Sequence, residues 1–144
     1  MIGLGEFSRM TAGLVGLDVW DATVGWGSFV TMNFGEPQGD DPPHGEFHLW
    51  LYCCSWRIER GAAVVACCED DRESMQAGVT LLNGQRLLGL DVEAASLSAT
   101  LTLTGDLVVR VFSICSEDGE HWKLRLPDGR WIMAGPGRRM VVES

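Results

Sequence analysis

The chain has 144 residues, of which 46% are hydrophobic and 22% are charged, and its formal net charge is −9. This length is sufficient to bury a core, and the composition excludes an intrinsically disordered chain. The acidic balance argues against a nucleic-acid surface, which needs a basic footprint, and against binding to an anionic membrane. We therefore expect one folded domain over residues 1–144 that binds neither nucleic acid nor membranes.

The sequence shows no targeting segment. No stretch is apolar for long enough to span a bilayer, and Glu6 and Arg9 interrupt the region where a signal peptide would be apolar. We therefore predict a cytoplasmic protein, in which the five cysteines are reduced. Their odd number also argues against a complete disulfide framework.

The first 45 residues predict a short helix followed by two strands. Apolar residues at helical spacing predict a helix over residues 4–13, and strands are predicted over residues 14–21 and 28–34. Gly25-Trp26-Gly27 forms the predicted turn between the strands. Residues 35–45 contain three prolines, which predicts an exposed loop.

The most aromatic run of the chain covers residues 47–58, and both of its alternate faces are largely apolar. A strand that is apolar on both faces is typical of the centre of a sheet covered on both sides. We expect the rest of the chain to pack around this strand. Glu59-Arg60-Gly61 is the predicted turn into another strand over residues 62–68.

A second helix is predicted over residues 71–82. Asp70 is its predicted N-cap, because Glu73 follows three residues later in a capping-box pattern. Asn83-Gly84 is a natural helix end, and Gly78 weakens the helix.

The second half of the chain shows the clearest β pattern. Apolar and hydroxyl side chains alternate over residues 96–104, which predicts a strand with one buried and one solvated face. Pro127-Asp128-Gly129 is a strong hairpin turn. The other predicted strands cover residues 107–114, 122–126, 131–134 and 140–142.

A short peptide, Gly-Leu-Asp-Val, occurs at residues 16–19 and again at residues 89–92. The predicted elements also repeat their order, a short helix and then about four strands. These observations suggest an internal duplication with halves 1–69 and 70–144. In either case the sequence predicts a mostly β (α+β) fold, in which two antiparallel sheets or a partly open barrel carry one or two short helices.

Histidines and cysteines form one candidate site. The turn at residues 59–61 would bring Cys53 close to Cys67, with His44 and His48 just upstream, and such a set can bind zinc or copper(I). The usual Cys-x-x-Cys spacing is absent, however, and buried cysteines often act as small apolar residues. No nucleophile stands in a recognisable catalytic motif, so we predict neither enzymatic activity nor a cofactor.

Carboxylates in predicted loops form a second candidate site. Solvated loop charge is their ordinary explanation, but a basic protein partner would be attracted to them. Trp26, beside a turn, is the aromatic residue that we expect at such an interface. The carboxylates are those of Glu36, Asp40, Asp41, Glu117, Asp118 and Glu120.

Several segments together resemble small uncharacterised single-domain proteins of bacteria, a kind that also occurs among immunity proteins for polymorphic toxins. The resemblance covers most of the chain and assigns no catalytic residue. It implies a non-enzymatic fold that binds and neutralises a toxin. The segments are Gly-Ser-Phe-Val-Thr-Met-Asn-Phe-Gly at 27–35, His-Leu-Trp-Leu-Tyr at 48–52, Asp70-Asp71, and Trp-Lys-Leu-Arg-Leu-Pro-Asp-Gly at 122–129.

Two classes of function stay open at this point. The first is a protein-binding module, with a basic protein as its partner. The second is a small-ligand or metal-binding barrel that uses His44, His48, Cys53 and Cys67. The apolar strands and many tryptophans also permit a homodimer.

Overall fold

The computed structural model describes residues 1–116 and 118–144, and Glu117 lies outside the described residues. The described chain forms two antiparallel β-sheets, of six and five strands, together with two short helices. Each sheet ends in two edge strands, so neither sheet closes on itself within this part of the chain. The predicted fold class, mostly β with two antiparallel sheets, is confirmed.

The chain passes from the six-stranded sheet to the five-stranded sheet between its third and fourth strands, and it returns between its eighth and ninth strands. The elements are helix α1 (Leu4–Met10), strands β1 (Val19–Val24), β2 (Val30–Phe34), β3 (Phe47–Leu51), β4 (Cys54–Arg60) and β5 (Ala63–Cys67), helix α2 (Arg72–Thr80), and strands β6 (Leu87–Val92), β7 (Ala99–Leu103), β8 (Leu107–Ser113), β9 (Trp122–Arg125), β10 (Trp131–Ala134) and β11 (Met140–Glu143). The six-stranded sheet has the order β1-β2-β3-β9-β10-β11, and the five-stranded sheet has the order β5-β4-β8-β7-β6.

The inward side chains of both sheets form one continuous apolar core. A void among Leu14, Leu49, Trp122 and their neighbours has a volume of about 10 Å³. Such a space holds at most a single water molecule. The interior at this point is therefore filled by side chains. Within the described chain, neither helix is long and apolar enough to cross a membrane.

The run over residues 47–58 is two strands, and the prediction of one central strand is wrong. β3 ends at Leu51, β4 begins at Cys54, and the two strands belong to different sheets. The buried apolar side chains stand at odd-numbered positions in β3 and at even-numbered positions in β4. The buried positions change from odd to even where the chain crosses between the sheets. One apolar face of the run is therefore the inner face of β3, and the other is the inner face of β4.

Both predicted helices form, with shifted ends. α1 ends at Met10, and the strand predicted from residue 14 begins only at Val19. The N-cap of α2 is Asp71, whose Oδ1 accepts a hydrogen bond from the Ser74 N–H at 2.9 Å. Asp70, the predicted N-cap, accepts the Cys67 N–H instead, at 2.9 Å.

The two halves of the chain follow the same path. In each half a helix and a three-stranded meander are followed by strands that lie in the other sheet. The last strand of each meander pairs with the first crossed-over strand of the other half, so β3 pairs with β9 and β8 pairs with β4. α1 and α2 begin 68 residues apart (72 minus 4), as do β1 and β6 (87 minus 19). Each repeat contains a helix and five strands, and not the predicted four, and β11 is an additional strand of the second half.

Two buried tryptophans occupy equivalent places in the repeat. Trp56 in β4 donates its indole N–H to the carbonyl oxygen of Ser28 at 2.7 Å, and Trp122 in β9 donates to that of Leu97 at 2.8 Å. Ser28 and Leu97 each precede their strand, β2 or β7, by two residues. The halves therefore correspond in individual hydrogen bonds as well as in strand order.

The halves meet where Asp18 and Arg86 form an isolated antiparallel bridge, with 3.5 Å between Asp18 Oδ1 and Arg86 Nε. These two residues are 68 positions apart (86 minus 18) and thus equivalent. A residue pairs with its own equivalent where an approximate two-fold axis passes. The repeated Gly-Leu-Asp-Val peptide does not mark this relation, because Val19 begins β1 whereas Val92 ends β6.

Candidate functional site

The outer face of the six-stranded sheet carries aromatic and cationic side chains in two cross-strand rows. Strand register places one row across β1, β2, β3, β9 and β10, and a second row beside it. We call this surface the aromatic–cation face. Its first row is Trp20, Asn33, His48, Arg125 and Trp131, and its second row is Thr31, Trp50, Lys123 and Met133.

Asn33 fixes the orientation of His48 on this face. The buried Oδ1 atom of Asn33 accepts the Gly45 N–H at 2.8 Å and lies 2.8 Å from Nδ1 of His48. Since the amide oxygen of Asn33 carries no proton, His48 Nδ1 is the donor in this hydrogen bond, and Nε2 has the lone pair when the ring is neutral. Burial lowers the pKa of His48, and the neighbouring His44 and Arg125 lower it further.

His44 positions Arg125. Nδ1 of His44 lies 2.9 Å from the carbonyl oxygen of Gly45, a contact in which only the ring nitrogen can donate. Nη1 of Arg125 lies 3.0 Å from Nδ1 and 3.1 Å from Nε2 of His44, so the guanidinium group contacts the imidazole ring through both of its nitrogens. The other guanidinium N–H groups of Arg125 are left for external partners, because this face offers them no carboxylate within salt-bridge distance among the described residues.

Lys123 lies over aromatic rings. Its ammonium nitrogen is 4.4 Å from the centroid of the Trp50 ring and 5.2 Å from that of Tyr52. These are cation–π distances. None of the ion pairs among the described residues includes Lys123. The face thus presents two cations without carboxylate partners, although the chain as a whole has a net charge of −9.

The predicted acidic loop is an ordered hairpin at one end of this face. Gln38 and His44 exchange two backbone hydrogen bonds, of 2.6 and 2.9 Å. The side-chain Oε2 of Glu46 accepts the Glu36 N–H at 2.8 Å, and Gly45 is held by Asn33 as described above. The carboxylates of Glu36, Asp40 and Asp41 are exposed and form no ion pair with described residues.

The other predicted partner-binding residues lie at the opposite end of the sheet. Trp26, at the tip of the β1–β2 hairpin, is 89% exposed. Asp118 and Glu120 lie in the loop before β9, which starts beside the end of β3 at Leu51. Glu117 falls outside the described residues. The predicted residues therefore form two groups, one at each end of the aromatic–cation face.

No family model, curated protein or solved structure matches this chain.

The structure places the predicted metal ligands in three separate regions. His44 and His48 are on the aromatic–cation face, Cys53 lies in the crossover between the sheets, and Cys67 is on β5, with its Sγ 3.5 Å from Asp70 Oδ1. Among the described residues no group of three or more histidine, cysteine or acidic side chains is arranged to hold a metal ion. The geometry gives no observation in favour of this set.

The thiols of Cys53 and Cys54 are also poor ligands at neutral pH. Burial raises the pKa of Cys53, with a further contribution from the neighbouring Cys115, and burial raises the pKa of Cys54 to about 12. A thiol binds metal or attacks an electrophile as the thiolate. All five cysteines are free.

A polar cleft of about 200 Å³ lies between the end of β8 and the turn before β11. Two of its lining groups, Ser113 Oγ and His121 Nδ1, are buried and have no hydrogen-bond partner among the described residues. Nε2 of His121 lies 2.8 Å from the carbonyl oxygen of Gly137 and is the donor in that contact, so Nδ1 is an acceptor. Sequence patterns gave no indication of this cleft.

Sequence reasoning also missed most of the aromatic–cation face. Of the six tryptophans, only Trp56 and Trp122 are core residues. Trp20, Trp50 and Trp131 are half-buried on the outer face. The usable signal was the alternation in β3 and β9, which places His48 on the same strand face as Trp50 and places Lys123 and Arg125 on the face opposite Trp122.

Proposed function

We propose that this protein is a non-enzymatic protein-binding module and that the aromatic–cation face is its contact surface. The observation that supports this is the half-exposed set of tryptophans beside Lys123 and Arg125, two cations with no carboxylate partner among the described residues. Tryptophan, tyrosine, methionine and arginine are enriched at protein interfaces, and tryptophan and arginine supply many of the residues that dominate binding energy.

The preorganisation of the surface also supports binding. Regular strands carry the rows, Asn33 holds His48, and His44 holds Arg125. The acidic hairpin is ordered by its own hydrogen bonds. Groups that are already ordered lose less conformational entropy when a partner binds.

The hairpin suggests the charge of the partner. Glu36, Asp40 and Asp41 project without internal ion pairs, so a basic region of a partner would be steered toward this end of the face. A cytoplasmic immunity protein that covers a basic toxin is the specific form of the proposal, and the resemblance of the sequence to small bacterial proteins supports it.

The test compares three tagged proteins in capture experiments from the lysate of the source cell, read by mass spectrometry. They are the natural protein, the double variant Trp50→Ala/Arg125→Glu on the face, and the control Phe112→Ala/Arg60→Glu on the other sheet. We expect one basic protein to be retained by the natural protein and the control, and lost with the face variant. Equal retention by all three would exclude the face, and no retained protein at low salt would contradict the proposal.

A further inference from the structure

The four edge strands of the two sheets differ in charge. An exposed edge strand presents unpaired peptide groups, and proteins commonly protect such edges with charged side chains. The edge strands β1, β6 and β11 contain Asp21, Asp91 and Glu143. The fourth edge strand, β5, contains no charged residue, and neither does the stretch of residues 61–68 around it.

The internal repeat shows that β5 lacks a neighbour that its equivalent possesses. β5 pairs with β4 as β10 pairs with β9, so β5 and β10 are equivalent strands. β10 is covered by β11 through four register pairs, from Trp131 with Glu143 to Ala134 with Met140. After β5 the chain turns into α2 instead, and the outer side of β5 receives no strand.

The free part of this edge is well defined. At its end, Asp70 accepts the Cys67 N–H through its side chain and donates its own N–H to the Cys67 carbonyl oxygen at 3.1 Å. Outside the ladder with β4, Ala63, Val64 and Val65 form no backbone hydrogen bond with any described residue. Val64 is 57% exposed and Val65 is 41% exposed.

A second copy of the same chain is the occupant that the charge distribution favours. Two molecules that each have a net charge of −9 repel each other over most of their surfaces. The uncharged stretch 61–68 is the part of the sheet edge where two copies can approach without opposing like charges. Two identical strands paired antiparallel also give a closed two-fold interface, the commonest symmetry of homo-oligomers.

We propose that the free edge of β5, residues 63–65, pairs antiparallel with the same edge of a second copy. The two five-stranded sheets then join into one continuous sheet. This interface lies on the five-stranded sheet and leaves the aromatic–cation face open, so it is independent of the proposed function.

Sedimentation measurements over a range of protein concentrations test the proposal. We expect the natural protein to form a dimer that dissociates on dilution. Ala63→Lys places a like charge on both copies at the exposed edge and should give a monomer at all concentrations. The matched control is Leu88→Lys on β6, the opposite edge of the same sheet, where the side chain is 53% exposed, and it should remain dimeric.

A mixture of Ala63→Lys and Ala63→Glu proteins provides the second measurement. Each variant alone should be monomeric, and the mixture should form a heterodimer, which also shows that both variants are folded. A natural protein that stays monomeric at every concentration would overturn the proposal. The proposal would also be overturned if the Ala63→Lys protein still dimerised or if the Leu88→Lys protein did not. Either result would place the dimer contact elsewhere.

Discussion

The outer faces of the two sheets have equivalent strands but differ in how their charged side chains are paired. On the five-stranded sheet Glu59 lies between two arginines, with Oε2 at 2.7 Å from Arg57 Nε and 2.6 Å from Arg110 Nε. The equivalent of Glu59 on the six-stranded sheet is Arg125, because the two residues follow the equivalent tryptophans, Trp56 and Trp122, by three positions. On one face a carboxylate is therefore bound between two arginines, whereas on the other face Arg125 and Lys123 have no carboxylate partner among the described residues.

The two halves agree on their inner faces, which form the core, and differ on their outer faces. The inner faces keep matching buried tryptophans and matching hydrogen bonds, since both sheets close the same core. The outer faces are not constrained by that core. The five-stranded sheet pairs Arg57 and Arg110 with Glu59, whereas on the six-stranded sheet Lys123 lies over aromatic rings and has no carboxylate partner among the described residues.

The largest expected effect concerns the matched tryptophans. Trp122→Phe removes a buried indole and leaves the carbonyl oxygen of Leu97 without its donor, so we expect a loss of about 2–4 kcal/mol in the free energy of unfolding. Trp56→Phe should have a similar but smaller effect, because Ser28, whose carbonyl oxygen loses its donor, is more exposed than the buried Leu97. Urea denaturation measures both. A negligible effect at either position would break the equivalence of the halves.

The second prediction concerns Arg125, which is replaced by the type of residue found at the equivalent position of the other sheet. Arg125→Glu introduces a carboxylate at the position equivalent to Glu59, beside the cation Lys123. We expect stability close to that of the natural protein and partner binding weakened by about 30-fold or more, as for the loss of a dominant interface residue. Thermal unfolding and titration with the captured partner check both. Unchanged affinity would show that Arg125 has no part in binding.

The third prediction concerns the acidic hairpin. The double substitution Asp40→Lys/Asp41→Lys reverses two exposed charges at one end of the aromatic–cation face. We expect association with a basic partner to slow by roughly tenfold at low salt, with little change in dissociation, because rim charges mainly steer encounter. Stopped-flow mixing at two ionic strengths measures this. An unchanged association rate would remove the hairpin from the interface.

The smallest effect is expected at Glu59. Hydrogen bonds from Arg110 and Arg57 lower the pKa of Glu59 in the folded protein below its ordinary value of 4.5. A carboxylate with a lowered folded-state pKa stabilises the fold above its unfolded pKa, and this contribution is lost as the pH falls through the folded pKa. Glu59→Gln should therefore be less stable than the natural protein at neutral pH.

The same difference should shrink as the pH falls below 4.5. Both arginines are partly exposed, so the effect is modest. Denaturation curves of the two proteins at neutral and acidic pH measure it. A difference that does not depend on pH would mean that the ion pairs do not contribute.

Local patterns predicted most of the individual elements. Alternation identified β7, β8 and the β9–β10 hairpin, whose Pro127-Asp128-Gly129 turn is closed by a hydrogen bond of 2.8 Å from the Leu126 N–H to the Arg130 carbonyl oxygen. The capping pattern located the start of α2 to within one residue, and the predicted end lies two residues beyond Thr80. These features depend on interactions within a few positions of the chain, which the sequence displays directly.

The crossing between sheets was not predictable in this way. Residues 47–58 read as one strand because the two inward faces follow each other without an intervening turn residue. The destination of a strand is decided by partners about 70 positions later, such as β9 for β3. The aromatic–cation face depends on that pairing, so the sequence could show its residues but not their assembly.

The exchange of strands between the halves has a consequence for synthesis. β3 can pair with β9, and β4 with β8, only after the second half has been synthesised, since each sheet contains strands of both halves. At about 5–20 residues per second, the first half is outside the ribosome for several seconds before its pairing partners exist. During that interval the edges of β3 and β4 are exposed to other nascent chains, so we expect folding yield to respond to translation speed and to chaperones that bind unpaired strands.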